Sequence, residues 1–212
     1  MTMSWRLASR LSVVTLALLV VLVVAILSLR NSTGETATPT PSANQSGLQG
    51  TDLGSVPAPD FHLKDQFGKP VSLSQFIGKP VVVTFLYTHC PDVCPLIAEK
   101  LHAARLALGS DASRVVMLAI SVDPKGDTQT TALNFSQTHK MADYWHYLIG
   151  TREQLAPVWS AYAIDAQTYT ATTSTHTSAV YVIDKQGRER VLLDQDFTTT
   201  QLVNNLKILL KE

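Results

Sequence analysis

The apolar residues of this chain are unevenly distributed, and their densest run lies near the N-terminus. Residues 11–29 read LSVVTLALLVVLVVAILSL, a stretch of 19 residues without a charge. A helix of that length extends for roughly 28 Å at about 1.5 Å per residue, which nearly matches the hydrocarbon core of a bilayer. A cleaved signal peptide has a shorter apolar region and a small-residue cleavage site. The run therefore predicts one uncleaved transmembrane helix, with residues 1–30 as a membrane anchor.

The pattern becomes polar after the apolar run. Residues 31–55 are rich in Thr, Ser, Gly and Pro and offer little to bury, which predicts a flexible tether. Residues 61–73 (FHLKDQFGKPVSL) then alternate apolar and polar positions around a Gly-containing turn, which indicates a β-hairpin. We expect the globular domain to comprise residues 56–212, with this hairpin near its start.

Apolar runs and amphipathic segments alternate through the rest of the chain. Residues 80–87 (PVVVTFLY) and 114–122 (RVVMLAISV) are continuous apolar runs, as expected of strands that are covered on both faces. Residues 178–184 and 188–194 flank a short turn and predict a closing antiparallel pair. Amphipathic helices are predicted after the cysteines up to Leu108 and over 127–140, 151–163 and 198–212. The order predicts an α/β fold with a partly parallel central sheet and helices on both faces.

The helix predicted over residues 151–163 contains two opposing signals. Thr151 and Gln154 have the spacing of a capping box, which favours a helix start at this point. Pro157 lacks a backbone N–H and is expected to disturb this helix or to move its start.

The distribution of charged residues argues against a nucleic-acid partner and suggests a cellular compartment. Seventeen basic and seventeen acidic residues cancel, and no Lys or Arg run offers a nucleic-acid face. Arg6 and Arg10 precede the apolar run, so the positive-inside rule places the N-terminus in the cytoplasm. We expect a single-pass protein of the bacterial inner membrane, with its domain facing the periplasm. That compartment is oxidising and permits disulfides.

Both cysteines of the chain lie in one short segment, YTHCPDVCPL, at residues 87–96. The pair sits where a buried strand turns into a helix that Asp92 can cap, and a helix N-terminus favours thiolates. Cys94 begins the inward stripe of the helix, so Cys90 is expected to be the more exposed. A structural disulfide over so short a loop would remove little chain entropy. Redox exchange and binding of a soft metal remain the two stronger alternatives.

A two-thiolate metal site needs a further ligand. Cu(I) prefers soft ligands and tolerates low coordination, so two thiolates and one imidazole suit it. The histidines of the chain are His62, His89, His102, His139, His146 and His176. His176 differs from the others because it ends a long polar loop immediately before a buried strand, and loops of that length are often functional. From the residues alone it stays one candidate among six.

Four motifs together resemble one family. They are APDFHLKDQFGKPVSL at 58–73, FLYTHCPDVCP at 85–95, SVDPKGDT at 121–128 and HTSAVYVIDKQGR at 176–188. In this combination they are similar to the Sco family, also called the SenC/PrrC family, of membrane-anchored copper chaperones for cytochrome c oxidase. The resemblance covers about residues 56–212, and the anchor and tether also match the plan of that family.

The resemblance implies a fold, a cofactor and a ligand set. It implies a thioredoxin-like fold and copper, as Cu(I) or Cu(II), bound by Cys90, Cys94 and His176. It also implies that Asp123 lies near the site and affects copper handling or partner contact, whereas the residues alone fit a simple turn before Pro124. The implied task is delivery of copper to the Cu(A) site of cytochrome c oxidase subunit II. Other periplasmic copper chaperones or thiol reductants are the further partners that we expect.

Two other functions use the same thiols. The first is a thiol–disulfide oxidoreductase that reduces the Cu(A)-site cysteines or another periplasmic disulfide, with Cys90 and Cys94 as a redox-active disulfide. The second is a sensor of respiratory redox state. A copper chaperone would not be an enzyme in the turnover sense. His176 separates the carrier from the oxidoreductase, because thiol–disulfide exchange does not require an imidazole.

Overall fold

The computed structural model describes residues 18–19, 21–23, 47–166 and 179–212. The chain divides into two compact units, residues 1–42 and 43–212. In the first unit the described residues are helical and exposed. Within the described residues, no helix has both the length and the apolar character needed to cross a bilayer. The transmembrane helix predicted at residues 11–29 lies largely outside the described residues, so the anchor stays a prediction.

Among its described residues the second unit has eight strands and four α-helices. In chain order the strands are β1 (Thr51–Pro57), β2 (His62–Lys64), β3 (Pro70–Ser72), β4 (Val81–Leu86), β5 (Val116–Ser121), β6 (His146–Leu148), β7 (Val180–Ile183) and β8 (Arg188–Leu193). The helices are α1 (Val93–Leu108), α2 (Gln129–Thr138), α3 (Arg152–Ala161) and α4 (Thr199–Leu209). Short 3₁₀ turns cover Leu73–Phe76 and Gly109–Arg114.

Six of the strands form one mixed sheet in the order β1-β8-β7-β4-β5-β6. Strands β4, β5 and β6 are parallel, whereas β7, β8 and β1 extend the sheet by antiparallel pairing. Strand β4 lies inside the sheet, and all six of its residues are buried. The predicted α/β fold with a partly parallel sheet is confirmed, and so is the closing antiparallel pair.

Helices cover both faces of the sheet, as predicted. Buried residues of α1, α2 and α4 share one apolar cluster on one face. Helix α3 and the hairpin β2–β3 contribute to a second cluster on the other face. The predicted inward stripe of α1 is buried along its whole length, and it consists of Cys94, Ile97, Leu101, Ala104 and Leu108. Period-3.6 patterning therefore located this helix and its buried side correctly.

The first strand begins within the stretch that was expected to be tether. Strand β1 pairs with β8 from Thr51 onward, ahead of the expected domain start at Val56. Most of its residues are exposed, and a register shift between Asp52 and Val56 interrupts the pairing. An exposed edge strand with such an irregularity lacks the period-2 alternation that marks a strand in a sequence.

Helix α3 differs from the expectation for its proline. The capping box of Thr151 and Gln154 is present, but Pro157 lies inside a continuous helix and neither breaks it nor moves its start. The carbonyl that the missing N–H leaves unpaired belongs to Glu153. Both Glu153 and Pro157 are exposed, so water can satisfy that carbonyl.

Candidate metal centre

The cysteine turn leaves the carboxyl end of β4, at the centre of the sheet. The backbone N–H of Val122, just after β5, donates to the carbonyl of Leu86 over 2.9 Å. This bond holds the exits of the two parallel strands side by side. The turn then occupies residues 87–92 before α1 begins at Val93. The loops after β4 and β5 therefore leave the same edge of the sheet next to each other.

Both cysteines are buried thiols, and neither forms a disulfide. Cys90 is 6% exposed and Cys94 is fully buried, which confirms that Cys90 is the more accessible. The backbone N–H of Cys94, in the first turn of α1, donates to Cys90 Sγ over 3.3 Å. Asp92 occupies the N-cap position but makes no side-chain capping bond, contrary to the capping role predicted for it. The Cys90 sulfur accepts one of the free N–H groups of the helix start instead, which favours negative charge on that sulfur.

The surroundings of the thiols keep Cys94 protonated in the metal-free protein. The hydrogen bond with Cys90 raises the pKa of Cys94 far above its usual range, and burial and the charge of Cys90 add to this. Burial also raises the pKa of Tyr87 to about 12, with further contributions from the charge of Cys90 and a hydrogen bond with it. A soft metal must therefore displace the Cys94 proton when it binds both sulfurs.

A buried carboxylate ties the cysteine turn to the rest of the sheet. Asp127 Oδ1 accepts from the backbone N–H of Thr88 over 2.9 Å and from the Thr88 hydroxyl over 2.7 Å. Asp127 Oδ2 accepts from Ser121 Oγ over 2.6 Å and from the Tyr147 hydroxyl over 3.0 Å. Burial raises the pKa of Asp127 against the opposing effect of these bonds. Because each carboxylate oxygen already accepts two bonds, Asp127 supports the turn and is poorly suited to bind a metal.

Asp123 lies in the same loop and is more accessible. Its Oδ1 accepts from the backbone N–H groups of Lys125 and Gly126 over 3.2 and 3.0 Å. Potential ligand atoms of His89, Asp123 and Asp127 all lie within 4.8 Å of one another. A Cβ added to Gly126 would lie 2.2 Å from Asp123 Oδ2 and 3.3 Å from His89 Nδ1. Only glycine therefore allows these side chains to come so close at this point.

The predicted site residues divide into two groups. Cys90, Cys94 and Asp123 lie at the same edge of the sheet. The predicted ligand His176 lies in residues 167–178, outside the described residues, so its role stays a prediction. Sequence reasoning missed Asp127 and the proximity of His89 to the carboxylates of the loop after β5. The sequence held a signal for Asp127, because it lies in the quoted motif SVDPKGDT, where it follows a glycine in a loop after a buried strand.

A buried strand that leads to paired thiols at a helix start, within a mixed sheet covered on both faces, defines a thioredoxin-like domain with a dithiol centre. The SCO1/SenC family model matches residues 50–211, and the chain belongs to this family. Protein SenC of Rhodobacter capsulatus is 30% identical over 150 residues, which are 69% of this chain and 67% of SenC. The chain spans between 25% and 67% of the length of the curated relatives that it matches.

Solved structures support the same fold. The copper-bound structure of Bradyrhizobium japonicum ScoI matches with a TM-score of 0.65 and 31% identity, over 73% of this chain and 99% of that one. The structure of BsSco, described as a cytochrome c oxidase assembly protein with a disulfide switch, matches with a TM-score of 0.65 and 20% identity, over 74% and 95%. These similarities confirm the predicted thioredoxin-like fold.

Proposed function

We propose that this chain is a membrane-anchored copper chaperone that binds copper through Cys90, Cys94 and His176 and delivers it to the Cu(A) site of cytochrome c oxidase subunit II. The observation that carries the proposal is the pair of neighbouring thiols at the start of α1, which form no disulfide in this structure. The similarity to copper-bound ScoI, which extends over most of the described domain, supports copper as the metal. Thiolate ligands select Cu(I) over harder divalent ions.

The geometry of the thiols suits a carrier that must release its metal. Cys94 is fully buried whereas Cys90 is 6% exposed, so Cys90 is the ligand that a partner can reach more easily. Binding of Cu(I) displaces thiol protons, including the proton of Cys94. A disulfide between the same two sulfurs leaves no thiolate that can bind the metal. Oxidation of the pair is therefore expected to release copper.

The proposed anchor sets the direction of delivery. Residues 1–30 hold the chain in the inner membrane, the segment between them and strand β1 forms the tether, and the domain that begins with β1 at Thr51 faces the periplasm. This arrangement rests on the charge-free run at 11–29 and on the arginines before it. A receiving Cu(A) domain on the same side of the membrane would lie within reach of the tether.

The test is a Cu(I) titration of the reduced full chain in detergent, compared with His176→Ala and with the control His62→Ala. His62 is an exposed residue of β2. We expect one Cu(I) per parent chain, weaker binding and failed oxidase assembly for His176→Ala, and parent behaviour for the control. Disulfide exchange should persist in His176→Ala. If that variant binds copper and supports assembly as the parent does, the carrier function fails and the thiol–disulfide oxidoreductase takes its place.

A further inference from the structure

A small basic pocket lies at the end of the domain opposite the thiols. It has a volume of about 290 Å³ and is lined by residues 78–80 before β4, 113–114 before β5, Lys185 after β7 and Leu210 after α4. The cysteine turn instead follows β4, a strand of six residues that extends for about 20 Å. The pocket and the thiols therefore lie at opposite edges of the sheet.

Three cations line this pocket, and two of them keep donors for an incoming anion. Lys185 Nζ donates to the carbonyl of Leu210 over 2.9 Å, and Arg114 Nη2 donates to the same oxygen over 3.3 Å. Arg114 also pairs with Asp111 over 2.8 Å. Within the described residues, neither Lys79 nor Lys185 forms an ion pair with a carboxylate. Because an ammonium has three donors, both lysines can still bind an anion that enters the pocket.

An exposed apolar side chain borders the pocket. Ile77 directly precedes the lining residue Gly78 and is 59% exposed. It lies on the turn between β7 and β8, because a Cβ added to Gly187 would come within 2.7 Å of Ile77 Cδ1. Cations beside an exposed apolar side chain are typical of surfaces that rest on a membrane. There the cations bind anionic headgroups and the apolar group enters the interface.

The chain that comes from the N-terminus enters the domain beside this pocket. Gly47 lies against the last turn of α4, where a Cβ added to it would be 3.7 Å from Ile208 Cδ1. The chain then continues along α4 in the opposite direction, and two hydrogen bonds of 2.8 Å join Gln49 to Asn205. Leu210, two positions after Ile208, lines the pocket. The end of the domain that is joined to the proposed anchor is therefore the end that carries the cations.

We propose that this pocket docks the domain on the membrane by binding an anionic phospholipid headgroup between Lys79 and Lys185, with Ile77 in the interface. The inference rests on the membrane anchor of the proposed function, because an anchored chain keeps the pocket close to lipid at a high effective concentration. Docking at this end holds the thiols about 20 Å further from the lipid, the length of β4. The dithiol edge is thereby left open to a partner.

The first test compares hydrogen exchange of the full chain in two kinds of lipid nanodisc. One is phosphatidylcholine alone and the other is an equimolar mixture with phosphatidylglycerol. Backbone amides at 77–79 and 113–115 should exchange at least about fivefold more slowly in the mixture, since one lysine beside an anionic surface contributes about that factor. Raised salt should remove the difference, because it screens exposed charges. Equal exchange of these amides in the two nanodiscs would overturn the docking.

The second test removes the two lysines. Lys79→Gln/Lys185→Gln should lose the protection given by phosphatidylglycerol, and Lys79→Gln alone should lose about fivefold of it. The single variant breaks no side-chain hydrogen bond among the described residues, so it keeps the test valid if the double variant folds poorly. The control Lys64→Gln/Lys69→Gln removes the same charge from the hairpin β2–β3, outside the pocket, and should behave as the parent. Full protection in the folded double variant would overturn the role of the pocket.

The remaining outcomes separate failure of the docking from failure of the proposed function. If the chain does not stay with the nanodiscs, the anchor is wrong and the docking falls with it. If inorganic phosphate in detergent protects the same amides as strongly, the pocket binds a soluble anion and membrane docking is overturned. The lysine variants should bind Cu(I) as the parent does. If the parent binds no Cu(I) while its amides are protected, the copper function is wrong and the docking stands.

Discussion

The loops after β4 and β5 leave the same edge of the sheet and are built in opposite ways. The loop after β4 leads into the two thiols, and the Cys90 sulfur caps the helix that follows through a long 3.3 Å contact. The loop after β5 carries Asp127, whose two oxygens accept four hydrogen bonds, two from the cysteine turn and one each from β5 and β6. One loop therefore presents reactive sulfur, and the other provides a rigid support for it.

The difference separates two tasks that a metal site must combine. A ligand that exchanges metal with a partner has to keep lone pairs free for bonds that form and break. A supporting carboxylate must have all its hydrogen bonds made within the protein, because a buried carboxylate with unsatisfied oxygens would lower the stability of the fold. Thr88 links the two loops, since it lies two residues before Cys90 and donates twice to Asp127. The following predictions test this division of roles.

The largest effect is expected for the thiols themselves. Cys90→Ser or Cys94→Ser should abolish tight Cu(I) binding, because a hydroxyl is a poor ligand for a soft monovalent metal. Metal analysis after titration of the reduced chain measures this, and chemical denaturation shows whether the fold is intact. Oxidation of the parent to the Cys90–Cys94 disulfide should have the same consequence. Copper retention by the oxidised chain at the reduced level would contradict the two-thiolate site.

Removal of the Asp127 carboxylate should lower the stability of the fold. Asp127→Ala leaves the N–H and hydroxyl of Thr88 and the hydroxyls of Ser121 and Tyr147 without their acceptor. We expect the free energy of unfolding to fall by about 3 kcal/mol, since the Ser121 and Tyr147 hydroxyls are buried and each buried unsatisfied donor costs about 1–3 kcal/mol. Urea denaturation measures the loss. The matched control Asp143→Ala, at an exposed position, should change stability by less than about 0.5 kcal/mol.

The charge of Asp127 should also give stability a pH dependence. Burial raises its pKa in the folded state above the ordinary value of 3.8. Between these two values the folded chain binds a proton that the unfolded chain does not, so stability rises as pH falls through the folded pKa. Urea denaturation of the parent and of Asp127→Asn over this range isolates the effect, because the variant cannot titrate there. A parent that loses stability relative to Asp127→Asn on acidification would contradict the raised pKa.

The smallest effect on stability is expected for Asp123. In Asp123→Asn the amide oxygen can still accept from the backbone N–H groups of Lys125 and Gly126. We expect stability to change by less than about 0.5 kcal/mol, while complementation of oxidase assembly falls through altered copper handling or partner contact. A loss as large as that of Asp127→Ala would assign Asp123 to the support instead.

Elements with a regular apolar pattern were predictable from the sequence, and irregular ones were not. The buried strand β4 is one continuous apolar run and the inward stripe of α1 follows the helical period, so local sequence was sufficient. Strand β1 has no such period because it is an exposed, interrupted edge strand. Pro157 was misjudged because its tolerance depends on whether the carbonyl that it leaves unpaired faces water or the core.

The sequence by itself determined that two thiols stand one helical turn apart, where a buried strand becomes a helix, because that arrangement depends only on neighbouring residues. Only the tertiary structure decided what surrounds them. Asp127 accepts hydrogen bonds from Thr88, which is 39 positions away in the sequence, and from Tyr147, which is 20 positions away. His139 comes to line the same groove as Cys90 although it follows a different helix. Such meetings depend on which strand ends adjoin in the sheet, and local periodicity carries no information about that choice.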